Sequence, residues 1–208
     1  KTLFIKAFLE SANIRDECEK KNGFRPPFTM LISPTMRCNL RCTGCYAGLY
    51  TQEKGLELNL LDRILKEARD IGIYFIAFSG GEPLMRKDDL FTLMERYEDV
   101  YFMFYTNGTL IDRDVAKKLR KLGNAGAIIS LEGFREATDS RRGPGVFDRI
   151  INAMDLLKEE GLAFGTSLTV TRQNANTLLN DDFVDFLIEH GVLVIWLFLF
   201  MPVGKNPD

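Results

Sequence analysis

The residues of this chain with the most defined chemistry are three cysteines on one short segment, Cys38-Asn-Leu-Arg-Cys42-Thr-Gly-Cys45-Tyr46. Three thiolates carried on one loop can wrap a face of a [4Fe–4S] cubane and ligate three of its irons. The fourth iron is then left without a protein ligand. Catalysis needs such an open position, whereas a carrier cluster is usually closed by a fourth cysteine. Zinc is the competing occupant, but structural zinc takes four ligands. The chain offers only one further cysteine, Cys18, far off in sequence, and one histidine, His190. Cys18 shares an apolar helical spacing with Ile14 and reads as a small buried hydrophobe. His190 precedes Gly191 at a helix end, where a cation suits the helix dipole. With no second histidine, hydrolase triads and zinc hydrolases lose support.

Other segments carry polar groups beside glycines: Ser79-Gly80-Gly81-Glu82-Pro83, Thr106-Asn107-Gly108, Ser130-Leu131-Glu132-Gly133, and then Asp139, Arg142, Gly143 and Gly145. Paired glycines let backbone approach a ligand closely and tolerate positive φ. A carboxylate beside them can accept from an ammonium group, a serine hydroxyl can bond a sugar, and an arginine can clamp a carboxylate in two-pronged fashion. Each segment also has a plain reading. Gly-Gly-Glu makes an ordinary strand–helix turn, Asn-Gly is a turn signal on its own, and Arg141-Arg142 makes a solvated pair.

These groups must be positioned by a β/α alternation that begins near residue 28. Short apolar, β-rich runs lie at Phe28–Ser33, Tyr74–Ser79, Val100–Thr106, Ala127–Leu131, Phe164–Val170 and Leu193–Phe200. Between them, apolar residues recur at helical spacing, as in Leu60, Leu61, Ile64, Leu65, Ala68 and Ile71. Gly72, Gly123, Gly161 and Gly191 follow four helical stretches as left-handed caps. Asn59 and Asp112 stand where N-caps belong. Six such units predict a parallel sheet with right-handed crossovers, either curled into a partial barrel or flat and doubly wound. In both, the active site belongs at the C-terminal ends of the strands. Two regions are expected: an N-terminal helical extension over 1–27, with Phe4, Phe8, Ile14 and Cys18 on an amphipathic helix, and a core domain over 28–208.

Bulk properties narrow the classes. The 208 residues are 46% hydrophobic with a net charge of −2. That excludes a disordered chain and gives no basic excess for nucleic acid. No apolar run approaches the ~20 residues of a membrane span. No secretory signal is visible, and clustered thiols without one imply a reducing cytoplasm. The chain starts on Lys1 and stops at Asp208 without an obvious ending, so trimmed ends are expected.

CxxxCxxC with an aromatic residue after the last cysteine resembles the signature of the radical S-adenosylmethionine (SAM) superfamily, and the remaining segments occur in that family's order. The resemblance covers residues ~28 to 204. It implies the six-unit (β/α)6 partial barrel, of TIM type with parallel strands. It implies a [4Fe–4S] cluster on Cys38, Cys42 and Cys45 with Tyr46 beside it, and SAM on the open iron. By the same resemblance Gly80 and Gly81 give room while Glu82 binds the SAM amine. Asn107 lines the SAM site, Ser130 faces the ribose, Arg142 takes the carboxylate, and the fifth strand at Leu168 packs the adenine. The Met201-Pro202-Val203-Gly204 turn is similar to a closing loop. The implied activity is reductive cleavage of SAM to a 5′-deoxyadenosyl radical that abstracts hydrogen from a substrate. A one-electron reductant such as flavodoxin or ferredoxin would act as partner.

The motif flavour resembles the maturase branch, which includes sulfatase-maturating, peptide-modifying and molybdenum-cofactor enzymes. That ranks a peptide or protein side chain first as substrate and a small metabolite or lipid second. Members of that branch usually carry a cysteine-rich C-terminal extension absent from this sequence, either cut away or lacking in a minimal member. Two alternatives stand beside the enzyme: a non-catalytic iron–sulfur carrier or sensor, and a degenerate barrel that binds a leader peptide.

Overall fold

The structure, a computed structural model, describes residues 9–202. Strands β1 (Thr29–Thr35), β2 (Phe75–Gly80), β3 (Tyr101–Thr106), β4 (Ala125–Leu131), β5 (Gly165–Val170) and β6 (Val194–Leu199) form one sheet in sequence order. Every neighbouring pair is parallel. The helices are α1 (Ser11–Asn22), α2 (Leu58–Asp70), α3 (Lys87–Arg96), α4 (Arg113–Leu122), α5 (Arg135–Arg142), α6 (Val146–Glu159), α7 (Ala175–Leu178) and α8 (Asp181–Glu189). A parallel neighbour can be reached only by crossing the sheet, and α2 to α8 make those crossings.

One core lies between the sheet's convex face and the helices. It holds Leu61 and Leu65 of α2, Phe78, Phe102, Phe104 and Ile129 of the strands, Ile150 and Met154 of α6, and Phe183 of α8. The concave face decides between the two predicted architectures. The rings of Tyr105 on β3 and Phe198 on β6 have centroids 6.1 Å apart. Three strand spacings in a flat sheet would separate those strands by roughly 14 Å. The sheet therefore curls into a partial barrel. Among the described residues it stays open, with β1 and β6 at the two ends of the strand order.

Local signals act mostly as read. Gly72, Gly123, Gly161 and Gly191 have φ between 65° and 87°, and the Asp112 carboxylate accepts from the Val115 N–H as an N-cap. Asn59 does not cap α2. The N-cap is Glu57, and Asn59 lies inside the first turn. The predicted amphipathic face of the N-terminal helix is partly buried, with Ile14 packed against the core. Ser11 is the one buried residue of α1, while Ile14 and Cys18 are half-buried. Its charged residues, from Arg15 to Lys21, lie outside the face that carries Ser11, Ile14 and Cys18. Phe4, Phe8, Val203 and Gly204 lie outside the described residues. Among the described residues no helix is long and apolar enough to cross a membrane.

One buried polar side chain ties the α3–β3 connection to β4. Asn124 Nδ2 donates to the carbonyls of Met94 (3.0 Å), Tyr97 (3.1 Å) and Val100 (3.2 Å). Asn124→Ala leaves these acceptors without that donor, and each buried unsatisfied group costs ~1–3 kcal/mol. We expect a loss in that range, read as a lower urea midpoint with unchanged slope.

Candidate functional site

The cysteine segment leaves the C-terminal end of β1 and is held from three directions. The first is the end of β2. The Gly81 N–H donates to the Thr35 carbonyl at 2.9 Å and the Glu82 N–H to the Arg37 carbonyl at 2.8 Å. A Cβ on Gly80 would sit 2.4 Å from the Thr35 oxygen, and one on Gly81 would sit 2.1 Å from the Arg37 oxygen. The room these glycines give is thus taken up by the approach of the loop that carries the cysteines.

The second direction is the end of β3. Asn107 Nδ2 donates to Asn39 Oδ1 at 2.8 Å and lies 3.7 Å from Cys38 Sγ. Asn39 in turn donates to Thr109 Oγ1 at 2.8 Å. Glu82 holds this turn from behind. Its fully buried carboxylate accepts from the Leu84 N–H (3.0 Å), the Thr106 hydroxyl (2.8 Å) and the Asn107 N–H (2.7 Å). Burial raises its pKa, and these donors oppose the rise. The side chain differs from expectation: it is spent on Thr106 and Asn107 and is absent from the cavity wall.

The third direction is the end of α5. The Thr43 N–H donates to the Arg141 carbonyl at 2.9 Å, and Arg141 Nε donates to the Thr43 carbonyl at 3.2 Å. Arg141 is therefore no solvated loop residue. Arg141 Nη1 (2.7 Å) and Arg142 Nε and Nη2 (3.0 and 2.5 Å) all donate to Glu132 Oε1. The side chains of Glu132 and Arg142 are 2% and 10% exposed. Removing one partner of such a buried group leaves an uncompensated charge. Burial opposes the charge on Arg142, but the negative charges of Glu132 and of the Cys42 thiolate outweigh it and raise its pKa.

These clamps surround one cavity of about 820 Å³ at the strands' C-terminal ends. Cys38, Cys42 and Cys45 line it, as do Tyr46, Gly80 and Gly81. Asn107, Ser130 and Arg142 complete the predicted residues found there. Ser130 Oγ is 3.1 Å from Ser167 Oγ, its register partner on β5. Leu168 is not in the wall; it is 1% exposed, on the core side of β5. Strand side chains alternate faces, so Ser167 and Thr169 face the cavity instead. That alternation was legible in the sequence. Leu31, Tyr105 and Phe198 add apolar surface that the motifs do not mark. A second cavity of about 540 Å³ shares Arg141 and Phe200 with the first. His190 plays a local part at the end of α8, bonded to Asp155 at 2.7 Å and edge-on to Phe186.

The donor set fits an iron–sulfur cubane better than a single ion. All four cysteines are free thiols. Among the described residues no three His, Cys, Asp or Glu side chains converge as a mononuclear metal site would require. A cubane takes one thiolate at each of three irons, so its ligands need only surround a common space. Burial raises the Cys38 and Cys42 thiols, and Arg142 and Arg141 pull Cys42 back down. Cys18, on α1, is not in the cavity wall.

Comparison with known proteins agrees with this geometry. The chain is 38% identical over 148 residues to the Fe-coproporphyrin III synthase of Methanosarcina barkeri, covering 69% of this chain and 37% of that protein. It is 33% identical over 159 residues to the PqqA peptide cyclase of Granulibacter bethesdensis, covering 74% of this chain and 42% of that protein. The chain thus spans less than half the length of these relatives. Streptococcus suis SuiB, solved bound to S-adenosylmethionine, has the same fold at a TM-score of 0.79 and 23% identity, covering 96% of this chain and 47% of SuiB. The model of the radical SAM superfamily matches residues 32–182. Because that match runs from β1 into α8, taking in every polar residue of the cavity wall and leaving out the apolar contribution of β6 and the residues after it, the chain belongs to the radical SAM superfamily.

Proposed function

We propose that this chain is the SAM-cleaving core of a radical enzyme that takes hydrogen from a peptide or protein side chain. The observation that carries the reading is the convergence of Cys38, Cys42 and Cys45 with Gly80, Asn107, Ser130 and Arg142 on one cavity. When bound, a reduced [4Fe–4S] cluster and SAM together supply a 5′-deoxyadenosyl radical, the hydrogen-abstracting agent of the reaction. The chain's own residues do the binding and orienting. Cys38, Cys42 and Cys45 hold the cluster and leave one iron open. Arg142, fixed by Glu132, offers its remaining donors to the SAM carboxylate. The Gly80–Gly81 backbone takes the amine, since the Glu82 carboxylate is bonded to Leu84, Thr106 and Asn107. Ser130 and Ser167 face the ribose, with Thr169 beside the adenine. Leu31, Tyr105 and Phe198 exclude water from the reacting centre.

A peptide substrate is supported by the PqqA peptide cyclase relative and by a cavity that is open along the exposed strand β6. A small-molecule substrate ranks second. The Fe-coproporphyrin III synthase relative and the apolar wall at Leu31, Tyr105 and Phe198 favour it.

The test is anaerobic reconstitution with iron and sulfide, followed by dithionite and SAM. Formation of 5′-deoxyadenosine well above a cluster-free control is expected. A reconstituted cluster that is reduced but leaves SAM intact would instead assign the chain to the electron carriers or sensors. A chain that takes up no cluster would be a degenerate barrel.

A further inference from the structure

Arg141 has no part in the reading above, yet it touches the cysteine turn more closely than any motif residue of α5. Both backbone polar groups of Thr43, which lies between Cys42 and Cys45, are bonded to this one residue at 2.9 and 3.2 Å. Its guanidinium shares the cavity wall with Cys42 and Cys45 and stands over the Phe200 ring at 5.7 Å. Its charge is only partly offset. Arg141 and Arg142 meet one oxygen of one carboxylate, Glu132 Oε1, so two positive charges face one negative beside the thiolates.

We propose that Arg141 positions the Cys42–Cys45 turn for the [4Fe–4S] cluster and that the Arg141–Glu132 pair sets the cluster's reduction potential. The inference rests on the preceding reading that these cysteines hold such a cluster. Reduction by an added one-electron donor takes the cubane from the 2+ to the 1+ state, adding one negative charge and releasing nothing. A neighbouring cation stabilises the product of that step more than the reactant, and a neighbouring anion does the reverse. The effect is large where the surroundings are poorly polarisable, and cluster potentials follow net charge and hydrogen bonding to the sulfurs. Removing the charge of Arg141 therefore disfavours reduction, and removing that of Glu132 favours it.

The experiment is a dithionite redox titration of the anaerobically reconstituted chain, followed by electron paramagnetic resonance, with iron content measured in parallel. For Arg141→Met we expect the reduction equilibrium to move about tenfold toward the oxidised state, about 59 mV for a one-electron couple. For Glu132→Gln we expect a similar move in the opposite direction. Arg141→Lys keeps the charge but not the planar fork, so its potential should stay at the wild-type value while iron content falls. If Arg141→Met loads no cluster, the Lys and Gln variants decide by the same signs. Shifts of equal sign in the two charge-removing variants would overturn the inference, as would full loading with an unmoved potential. A wild-type chain that binds no cluster would refute the earlier reading instead. One that cleaves SAM but shows unmoved variants would refute only this one.

Discussion

Alanine at Cys38, Cys42 or Cys45 is expected to abolish both iron uptake and SAM cleavage, while Cys18→Ala keeps about four irons per chain, the content of one cubane, and full cleavage. The three motif cysteines line one cavity, and Cys18 does not. Cys18 sits instead on α1, where Asn22 Nδ2 donates to its sulfur at 3.3 Å. Each motif cysteine would supply the one thiolate of its iron, so losing any of them would leave the cubane only two protein ligands. The measurement is iron and sulfide content per chain after anaerobic reconstitution, paired with 5′-deoxyadenosine yield. Loss of the cluster in Cys18→Ala would overturn the open-site mechanism, since the iron reserved for SAM would already carry a ligand.

The second large effect separates SAM binding from cluster assembly. Arg142→Ala should retain the cluster but weaken SAM roughly tenfold or more, since losing a charged hydrogen-bond partner costs ~1.5–3 kcal/mol. Glu132 keeps Arg141 as a partner in this variant, so the buried carboxylate is not stranded. Glu82→Ala is expected to do something different. Its carboxylate holds Thr106 and Asn107, and Asn107 holds Asn39 beside Cys38, so the loss should spread to the cysteine loop and reduce iron content as well. SAM titrations of the reduced cluster's resonance spectrum, together with iron analysis, distinguish the two. Unchanged SAM affinity in Arg142→Ala would mean that the carboxylate is held elsewhere in the cavity.

Much of the molecule was legible because it depends on short-range rules. The alternation of apolar runs with helical stripes specified six parallel strands, since each unit encodes its own periodicity and four of the helical stretches end on a glycine cap. The cysteine spacing specified three thiolates on one loop past the first strand, because chain geometry alone keeps residues at most seven positions apart together. Asn59 failed as a cap because the helix starts two residues earlier, at Glu57, and which start forms depends on how α2 meets the sheet. The Leu168 side chain lies on the core side because strand side chains alternate faces, which a reading of the segment as a strand end did not track.

What only the tertiary structure decided concerns groups distant in sequence. Whether six strands curl or lie flat is set by how far the sheet coils over its helices, and the contact between Tyr105 and Phe198 reports that outcome. The residues that hold the site together come from separate strand ends. Glu82 meets Thr106 and Asn107 across 24 and 25 positions, and Arg141 meets Thr43 across 98. A sequence lists which groups are able to bond. Burial then makes each polar group find a partner wherever the fold has brought one, and for Glu82 that partner was the neighbouring strand's turn while for Arg141 it was the cysteine loop.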